Sequence, residues 1–426
     1  MLPVIKLGER HEICATGGHR IAATRFVRAH SHLRAYASHR PGEVSPTVTT
    51  TEQKRPVFAP AHEDFRASVR RFLSDVVLPE YPDWLRDGKP SRRFWKAAAD
   101  VGILGIGVPE QYGGLPGSDY RHSAVVTEEI QALGLAIGGL RVQTDICLPY
   151  LVHHGSQEQK ETWLPRLTSG DAVAALALSE PGAGSDLKAI TTRARRCDDH
   201  YVVSGAKTFI SNGAAADLLI LAAKTDPQAG RRGVSLLLVD TTTAGFARGR
   251  RLDKLGLKAQ DLAEMSFTEM VVPLGNLLGR ENEGFTYLTA HLAQERLSIA
   301  VNSQAAAAAA LSWTVRDLAG TEPGQNTKFV LAECAAEVAA GQALVDQALS
   351  RHVAGALSGA DAAVAKLYCT ELQSRVVERC LSVAAGPAAL RANSQIGNAY
   401  LDGRVSRIFG GSSEIMKVII GQSLGL

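Results

Sequence analysis

Residues Ala177–Asp186 read ALSEPGAGSD and lie where the pattern of the sequence changes. Upstream, from about 58 to 172, apolar residues recur every three or four positions, which is typical of helices. From about 173 to 283, short β-prone runs alternate with Gly, Asp and Asn turns. From 284 to 426 the helical period returns in long alanine-rich segments. The sequence therefore predicts helices, then a small antiparallel β domain, then a helical bundle.

Within these regions the periodicity predicts individual elements. The first helix begins at about Ala61 and is expected to stop at Pro79. The other predicted helices are Phe94–Val101, Ser123–Leu135, Ser156–Leu167, Phe285–Arg316, Asn326–Ala354, Ala360–Ala384 and Ile396–Gln422. The predicted strands are Thr191–Cys197, Tyr201–Val203, Leu218–Ala222, Ser235–Asp240 and Glu264–Val272.

Composition argues against several classes of protein. The 46 Lys and Arg nearly balance the 43 Asp and Glu, so net charge gives no support for nucleic acid or an anionic membrane as a partner. No apolar run approaches the roughly 20 residues that a membrane-spanning helix needs. The six cysteines form no Cys-x-x-Cys pair and the histidines show no metal-ligand spacing. This favours free thiols in a reducing compartment, such as the cytoplasm, and no bound metal.

The first segment, residues 1–57, differs from the rest. It is rich in arginine and histidine, poor in acidic residues, and ends in a run of Pro, Gly, Ser and Thr. We expect a disordered basic extension, or a start codon placed too early, because no amphipathic stripe is visible. A transit peptide is the alternative, and it would place the protein in the mitochondrial matrix.

Two stretches have the composition of a cofactor site. In the loop Ala177–Asp186, small residues expose successive backbone N–H groups, and Ser179 and Ser185 can donate hydrogen bonds to a phosphate or a flavin edge. A plain surface turn is the alternative for that loop alone. The stretch Gly205–Gly213, GAKTFISNG, places an aromatic, an aliphatic and a hydroxyl side chain before a turn. An aromatic ring can shield one face of a flavin, and a hydroxyl can stabilise the reduced ring.

Three further stretches complete a pattern: KLGLK at Lys254–Lys258, continued to Gly279; QERL at Gln294–Leu297; and a segment from Tyr400 to Ile415 that includes FGGSSEI. In this order, with the change from helix to strand and back, the five stretches resemble the acyl-CoA dehydrogenase family over about residues 58–426. The resemblance implies an α+β fold with N-terminal helices at 58–172, a middle antiparallel β barrel at 173–283 and a C-terminal four-helix bundle at 284–426. It also implies a homo-oligomer, either a dimer or a tetramer.

The same resemblance implies FAD as cofactor and an acyl thioester as substrate. The residues that match the family's FAD contacts are Leu176, Ala177, Leu178, Ser179, Gly184, Ser185, Phe209, Ile210, Ser211, Ser412, Ser413 and Glu414. Those that match its substrate contacts are Ser185, Arg296, Gly410 and Gly411.

The expected reaction needs a carboxylate that removes the α proton of the thioester while the β hydrogen leaves as hydride. In much of the family this base is a Glu that here is replaced by Gly410, which has no side chain. The long-chain and isovaleryl branches carry the base in a Glu-Arg-Leu segment, which Glu295, Arg296 and Leu297 match. We therefore predict Glu295 as the catalytic base. A solvated or ion-paired helix glutamate is the alternative.

Two segments depart from the family's pattern. An Arg-x-x-Phe-Gly motif is absent where the chain reads Thr314–Gly324, and a Gln-x-x-Gly-Gly-x-Gly-Tyr motif is absent at Ser382–Ala389. The family uses both across its subunit interface to hold FAD, so we expect weaker or differently anchored FAD. Each lost hydrogen bond is worth roughly 1–3 kcal/mol.

The expected function is thus dehydrogenation of an acyl group carried on CoA or on a carrier protein. The electron acceptor would be an electron-transferring flavoprotein or oxygen. Two alternatives stay open at this point. One is a flavin oxidase, monooxygenase or tailoring enzyme of the same fold. The other is a subunit that needs a paralogous chain to complete its FAD site.

Overall fold

The structure is a computed structural model that describes residues 55–384, 391 and 394–426. The predicted basic extension therefore lies outside the described residues, apart from 55–57. The same holds for most of the second departing segment, from 385 to 389. Among the helices of the described part, none is both long enough and apolar enough to cross a membrane.

The N-terminal helices are α1 Pro60–Phe72, α2 Leu78–Asp87, α3 Arg92–Asp100, α4 Tyr120–Ala132, α5 Gly139–Arg141, α6 Leu148–His154 and α7 Gln157–Thr168. Contrary to expectation, the first helical run does not stop at Pro79. A π-helical turn, Leu73–Val77, joins α1 to α2, and Pro79 lies in the first turn of α2, where proline is tolerated. A similar turn, Val142–Cys147, joins α5 to α6.

The middle region is one sheet of eight strands: β1 Ala174–Ala177, β2 Arg193–Arg196, β3 His200–Ser211, β4 Leu218–Lys224, β5 Val234–Asp240, β6 Phe246–Arg251, β7 Leu262–Pro273 and β8 Leu277–Leu278. The strand order is β6-β7-β3-β2-β4-β5-β8, with β1 beside β4. Most pairs are antiparallel, as predicted, but β1 and β2 each pair with β4 in parallel. Strand β3 is longer than predicted because β7 pairs with it along most of its length.

Strand β4 reads LLILAAK because both faces of the sheet are covered at this point. Leu218 and Ile220 pack into the core beneath the N-terminal helices. Leu219 and Leu221 pack into a second core on the opposite face of the sheet. The period of two along a strand thus divides an almost continuous apolar run between two cores.

The C-terminal helices are α8 Gly284–Asp317, α9 Gln325–Val353, α10 Gly359–Val383, α11 Gln395–Gly403 and α12 Ser413–Ser423. Their alanines allow close helix packing: Ala307 and Ala310 of α8 are fully buried beside α10. The prediction of a single helix over Ile396–Gln422 is wrong. A 3₁₀ turn at Arg404–Arg407 and two glycines with left-handed backbone, Gly410 (φ 65°) and Gly411 (φ 93°), separate α11 from α12.

Candidate active site

The predicted base, Glu295, lies in the middle of α8 and is almost fully buried, with 7% of its surface exposed. Burial raises the pKa of its carboxyl group to about 7. Two neighbours oppose that shift: the Tyr150 hydroxyl, which donates to Oε1 at 3.4 Å, and the charge of Arg296. A carboxyl group with a pKa near neutrality can remove a proton from a weak carbon acid at physiological pH.

Arg296, the next residue, is also 7% exposed. Its Nη1 donates to the Gly359 carbonyl at 3.5 Å, but its Nε is buried and has no hydrogen-bond partner among the described residues. Burial lowers the pKa of the guanidinium, and the Glu295 carboxylate opposes this. An enclosed donor without a partner is rare in proteins, and an acceptor atom of a ligand or a water molecule would satisfy it.

Gly410 lies against the helix that carries the base. A Cβ added at Gly410 would come within 2.2 Å of Ile299 Cδ1, and Ile299 lies one helical turn beyond Glu295. The turn is also held by Lys366, whose buried ammonium group donates to the Gly411 carbonyl. Burial, with the nearby charge of Arg296, lowers the pKa of Lys366 to about 8. Of the predicted substrate contacts, Arg296 follows Glu295 directly, Gly410 packs against the same helix, and the Gly411 carbonyl is bound by Lys366. The fourth, Ser185, lies on the loop that follows β1.

The start of α12 is capped within the same turn. Ser412 accepts a hydrogen bond from the Ile415 N–H at 3.5 Å, and Ser413 Oγ donates to Glu371 Oε1 at 2.6 Å. Glu414 is exposed, and hydrogen bonding from Ser412 lowers the pKa of its carboxyl group. Ser412 and Ser413 therefore fix the turn, whereas the exposed Glu414 side chain is accessible to a ligand from solvent.

The loop that follows β1 is anchored by a buried ion pair that sequence reasoning missed. Lys207 Nζ donates to Glu180 Oε1 at 2.8 Å and to the Leu178 carbonyl at 2.9 Å. The Glu180 carboxylate also accepts from the N–H groups of Thr191 and Thr192. Burial alone would raise the pKa of Glu180, but these donors lower it overall. The ion pair and these hydrogen bonds therefore anchor the loop at Leu178 and Glu180.

The tip of this loop presents its backbone to solvent. A Cβ added at Gly182 or Gly184 would meet no atom within 4 Å, and Ser185 is exposed. Leu176, Ala177, Leu178 and Ser179 lead into the tip from β1, and the Ser179 carbonyl accepts from the Thr208 N–H at 2.9 Å. That bond joins the loop to the second predicted flavin-contacting stretch.

Phe209 has an unusual backbone for a large side chain, with φ 57°, and 63% of its surface is exposed. The pairing of β3 with β7 is interrupted at this point. Ile210 is buried, and Ser211 Oγ accepts a hydrogen bond from Gln260 Nε2 at 3.0 Å. Strained residues in a fold cluster at functional sites, and here the strain turns an aromatic face outward.

A chain of contacts links this stretch to the base helix. A Cβ at Gly138 would lie 2.4 Å from Gln260 Oε1 and 3.7 Å from Arg141 Nη2. Arg141 Nη1 in turn donates to Ser298 Oγ at 3.1 Å, and Ser298 lies three residues after Glu295. The predicted flavin edge at Ser211 and the predicted base therefore face the same N-terminal segment.

The third and fifth predicted stretches also meet. A Cβ at Gly256 would approach the Leu401 carbonyl to 2.5 Å, and the Leu257 N–H donates to Asp402 Oδ1. Burial raises the pKa of Asp402 to about 6. Both stretches were visible in the sequence, but their contact was not.

Within the described part of the chain, folding brings together one group of potential metal ligands. Ligand atoms of His62, Asp119 and His122 lie within 4.8 Å of one another. This grouping could not be predicted from residue spacing, because His62 lies on α1 and the other two residues lie at the start of α4. Asp119 already accepts from the guanidinium and the N–H of Arg121, and His122 closes the capping box of α4. We interpret the group as a helix cap.

Comparison with known proteins fits this geometry. Three family models match consecutive parts of the chain: the acyl-CoA dehydrogenase N-terminal domain over 59–171, the middle domain over 175–270 and the C-terminal domain over 282–425. The chain belongs to the acyl-CoA dehydrogenase family. It is thus an oxidoreductase and a flavoprotein, and the predicted three-domain fold is confirmed.

Individual relatives match over most of their length. A mitochondrial long-chain specific acyl-CoA dehydrogenase of Rattus norvegicus is 38% identical, over 87% of this chain and 88% of its own length. An isovaleryl-CoA dehydrogenase of Pongo abelii is 33% identical, over 84% and 87%. A crystal structure of an acyl-CoA dehydrogenase from Geobacillus kaustophilus superposes with a TM-score of 0.85 at 40% identity, over 88% of this chain and 100% of that one.

Proposed function

We propose that this acyl-CoA dehydrogenase oxidises an acyl thioester at its α,β carbon–carbon bond, with Glu295 as the base and FAD as cofactor. The observation that carries the proposal is the buried Glu295 carboxyl group, with a pKa of about 7, beside a glycine turn and an incompletely bonded arginine. The names of the long-chain and isovaleryl relatives support the placement of the base on this helix.

The residues present fit a flavin. The exposed face of Phe209 offers an apolar surface to a flat ring, and the open tip at Gly182 and Gly184 offers backbone donors without side chains in the way. The residues that would hold FAD are Leu176, Ala177, Leu178, Ser179, Gly184, Ser185, Phe209, Ile210, Ser211, Ser412, Ser413 and Glu414. When bound, FAD supplies a hydride acceptor.

Within this proposal the protein performs the proton chemistry. Glu295 takes the α proton onto its carboxylate, and burial keeps water from competing for that carboxylate. The Gly410 N–H has no acceptor among the described residues, so it can donate to the thioester oxygen as negative charge develops there. Lys366 fixes the adjacent peptide through the Gly411 carbonyl, and Arg296 adds positive charge beside the enolate.

The test is anaerobic mixing of purified, FAD-loaded protein with a panel of acyl-CoA and acyl-carrier thioesters. Bleaching of the flavin absorbance is expected with wild type and not with Glu295→Gln. Retention of full bleaching by Glu295→Gln would contradict the assignment of the base. Bleaching only with NADH or NADPH, followed by oxygen consumption, would instead favour a monooxygenase.

The acceptor and the assembly can be tested in the same preparation. We propose an electron-transferring flavoprotein as acceptor, or oxygen, and a homo-oligomer as the assembly. The rate at which each acceptor reoxidises the bleached enzyme distinguishes an electron-transferring flavoprotein from oxygen. Light scattering measures the number of chains in the assembly, and copurification of a paralogous chain would contradict a homo-oligomer.

A further inference from the structure

Two facing contacts join the base helix to α6. Tyr150 and His154 lie four residues apart on α6, and His291 and Glu295 lie four residues apart on α8, so each pair occupies one face of its helix. The Tyr150 hydroxyl donates to Glu295 Oε1 at 3.4 Å, and His154 Nε2 lies 3.0 Å from His291 Nε2. The two helices therefore run antiparallel at this point, with a histidine pair one turn away from the contact to the base.

The contact between the two histidines is a hydrogen bond that persists in the pH range where the base titrates. Burial is the largest cause that lowers the pKa of His291, to about 4, and it also lowers the pKa of His154. In a neutral imidazole one ring nitrogen donates and the other accepts, so one ring can donate to the other. Protonation of His154 would keep the bond, because a charged ring still donates to the neutral His291.

The two histidines belong to a row of packed rings. The ring centroid of His291 lies 4.4 Å from that of Tyr150, and His154 stacks on Tyr287 with the centroids 4.1 Å apart. The Tyr287 hydroxyl accepts a hydrogen bond from the Arg280 N–H at 3.0 Å. The outer end of the row is therefore attached to the backbone of the turn that follows β8.

This packing determines where the Tyr150 hydroxyl lies. The hydroxyl moves whenever the ring rotates about its side-chain bonds. Its distance of 3.4 Å to Glu295 is already long for a hydrogen bond, so a small rotation would break the contact. His291 packs against the ring of Tyr150 and restricts that rotation, and His154 in turn holds His291 in place.

We propose that His154 and His291 are positioning residues that keep the Tyr150 hydroxyl in hydrogen-bonding contact with Glu295. This inference rests on the proposed dehydrogenation and extends the machinery of its base to a second pair of residues. The histidines act through Tyr150 and not on the substrate. Without them, Glu295 would lose the donor that favours its carboxylate form.

Other ionisable groups lie near both contacts. Cys147 and Arg296 lie near Glu295, and His153 and Lys160 lie near the histidine pair. All four are the same in the wild type and in the variants below. A difference in pH dependence between these proteins therefore reports the contact to Glu295.

The experiment measures kcat/KM against pH for FAD-loaded wild type, His154→Phe and His154→Gln. Phenylalanine keeps a flat ring against Tyr287 but removes the nitrogen that meets His291, whereas glutamine keeps a donor and an acceptor. His154→Phe should raise the midpoint toward that of Tyr150→Phe, by up to about 0.7, which lowers kcat/KM by up to about fivefold well below the midpoint. His154→Gln should retain most of the wild-type midpoint.

A double variant and a control test whether the effect passes through Tyr150. His154→Phe combined with Tyr150→Phe should shift the midpoint no further than Tyr150→Phe alone, because both changes remove the same contact. The control is His200→Phe, which replaces a histidine at the start of β3 that contacts Asp199 and should leave the midpoint unchanged.

An unchanged midpoint in His154→Phe, or additive shifts in the double variant, would overturn the inference and leave the proposed function standing. If no thioester bleaches the flavin of the wild type, the proposed function itself fails. Should His154→Phe fold poorly, Tyr287→Leu removes the ring on which His154 stacks and should shift the midpoint in the same direction.

Discussion

Replacing Tyr150 by phenylalanine is expected to move the pH dependence of the proton abstraction to higher pH. The Tyr150 hydroxyl donates to Glu295 Oε1 at 3.4 Å and lowers the pKa of that carboxyl group. It stabilises the carboxylate more than the protonated acid, because only the carboxylate carries the charge that the donor meets. No other hydrogen bond to the Glu295 side chain is present in the described part of the chain, so its loss is uncompensated.

The size of the effect follows from the geometry. Hydrogen bonds to charged groups are worth about 1.5–3 kcal/mol, and a separation of 3.4 Å is long, so we take about 1 kcal/mol here. Since one pH unit corresponds to about 1.4 kcal/mol, the midpoint of the rate profile should rise by about 0.7. In wild type the rate should increase with pH through a midpoint at about 7, because only the ionised Glu295 accepts the proton.

The assay is stopped-flow bleaching of the flavin under anaerobic conditions, with thioester well below saturation, between about pH 5.5 and 9, because this regime reports the pKa of the free enzyme. The matched control is Tyr112→Phe, which removes a buried phenol that bonds to Gln157 rather than to Glu295. A midpoint for Tyr150→Phe that is unchanged or lower would refute the reasoning. An equal shift in Tyr112→Phe would show that the effect is not local.

Three other predictions concern stability. The pKa of Glu295 is about 7 in the folded protein against 4.5 in the unfolded chain, so the wild type loses stability as the pH rises through this window. Glutamine cannot ionise, so Glu295→Gln should be more stable than the wild type by about 3 kcal/mol at pH 8 but not at pH 4. Urea unfolding at the two pH values measures this difference. Gly410→Ala should lower the free energy of unfolding by about 1–2 kcal/mol because of the positive φ at this position, in addition to any clash with Ile299 Cδ1. Adding Ile299→Val, which removes Cδ1, should relieve the clash but not the backbone strain. Lys207→Met should lower the melting temperature by the equivalent of about 3–5 kcal/mol, since it leaves the buried Glu180 without its cation, and Lys207→Met with Glu180→Gln should recover part of this. An equally severe double variant would argue against the ion pair as the cause.

Local patterns in the sequence sufficed for the long helices and failed at their interruptions. The helices α8, α9 and α10 were predicted to within a residue or two at each end, because their alanine-rich periodicity extends over many turns. The C-terminal run was predicted as one helix because its apolar spacing continues across Gly410 and Gly411. The break is set by tertiary contacts: Lys366 holds the Gly411 carbonyl, and Ile299 leaves no room for a side chain at 410.

The identity of the candidate base could be predicted from the sequence alone. The sequence shows directly that position 410 is glycine and that the segment QERL contains a glutamate. Together with the family resemblance, these two identities suffice to choose Glu295. The chemical state of that base could not be predicted, because it depends on burial and on Tyr150, which lies 145 residues away. The same holds for Arg141, Asp145 and Ser298, which look like ordinary polar residues until folding encloses them. The sequence specifies the type of each residue. The desolvation of a side chain and its distance from charged or hydrogen-bonding neighbours are set only when distant segments pack together, and these two factors determine its pKa.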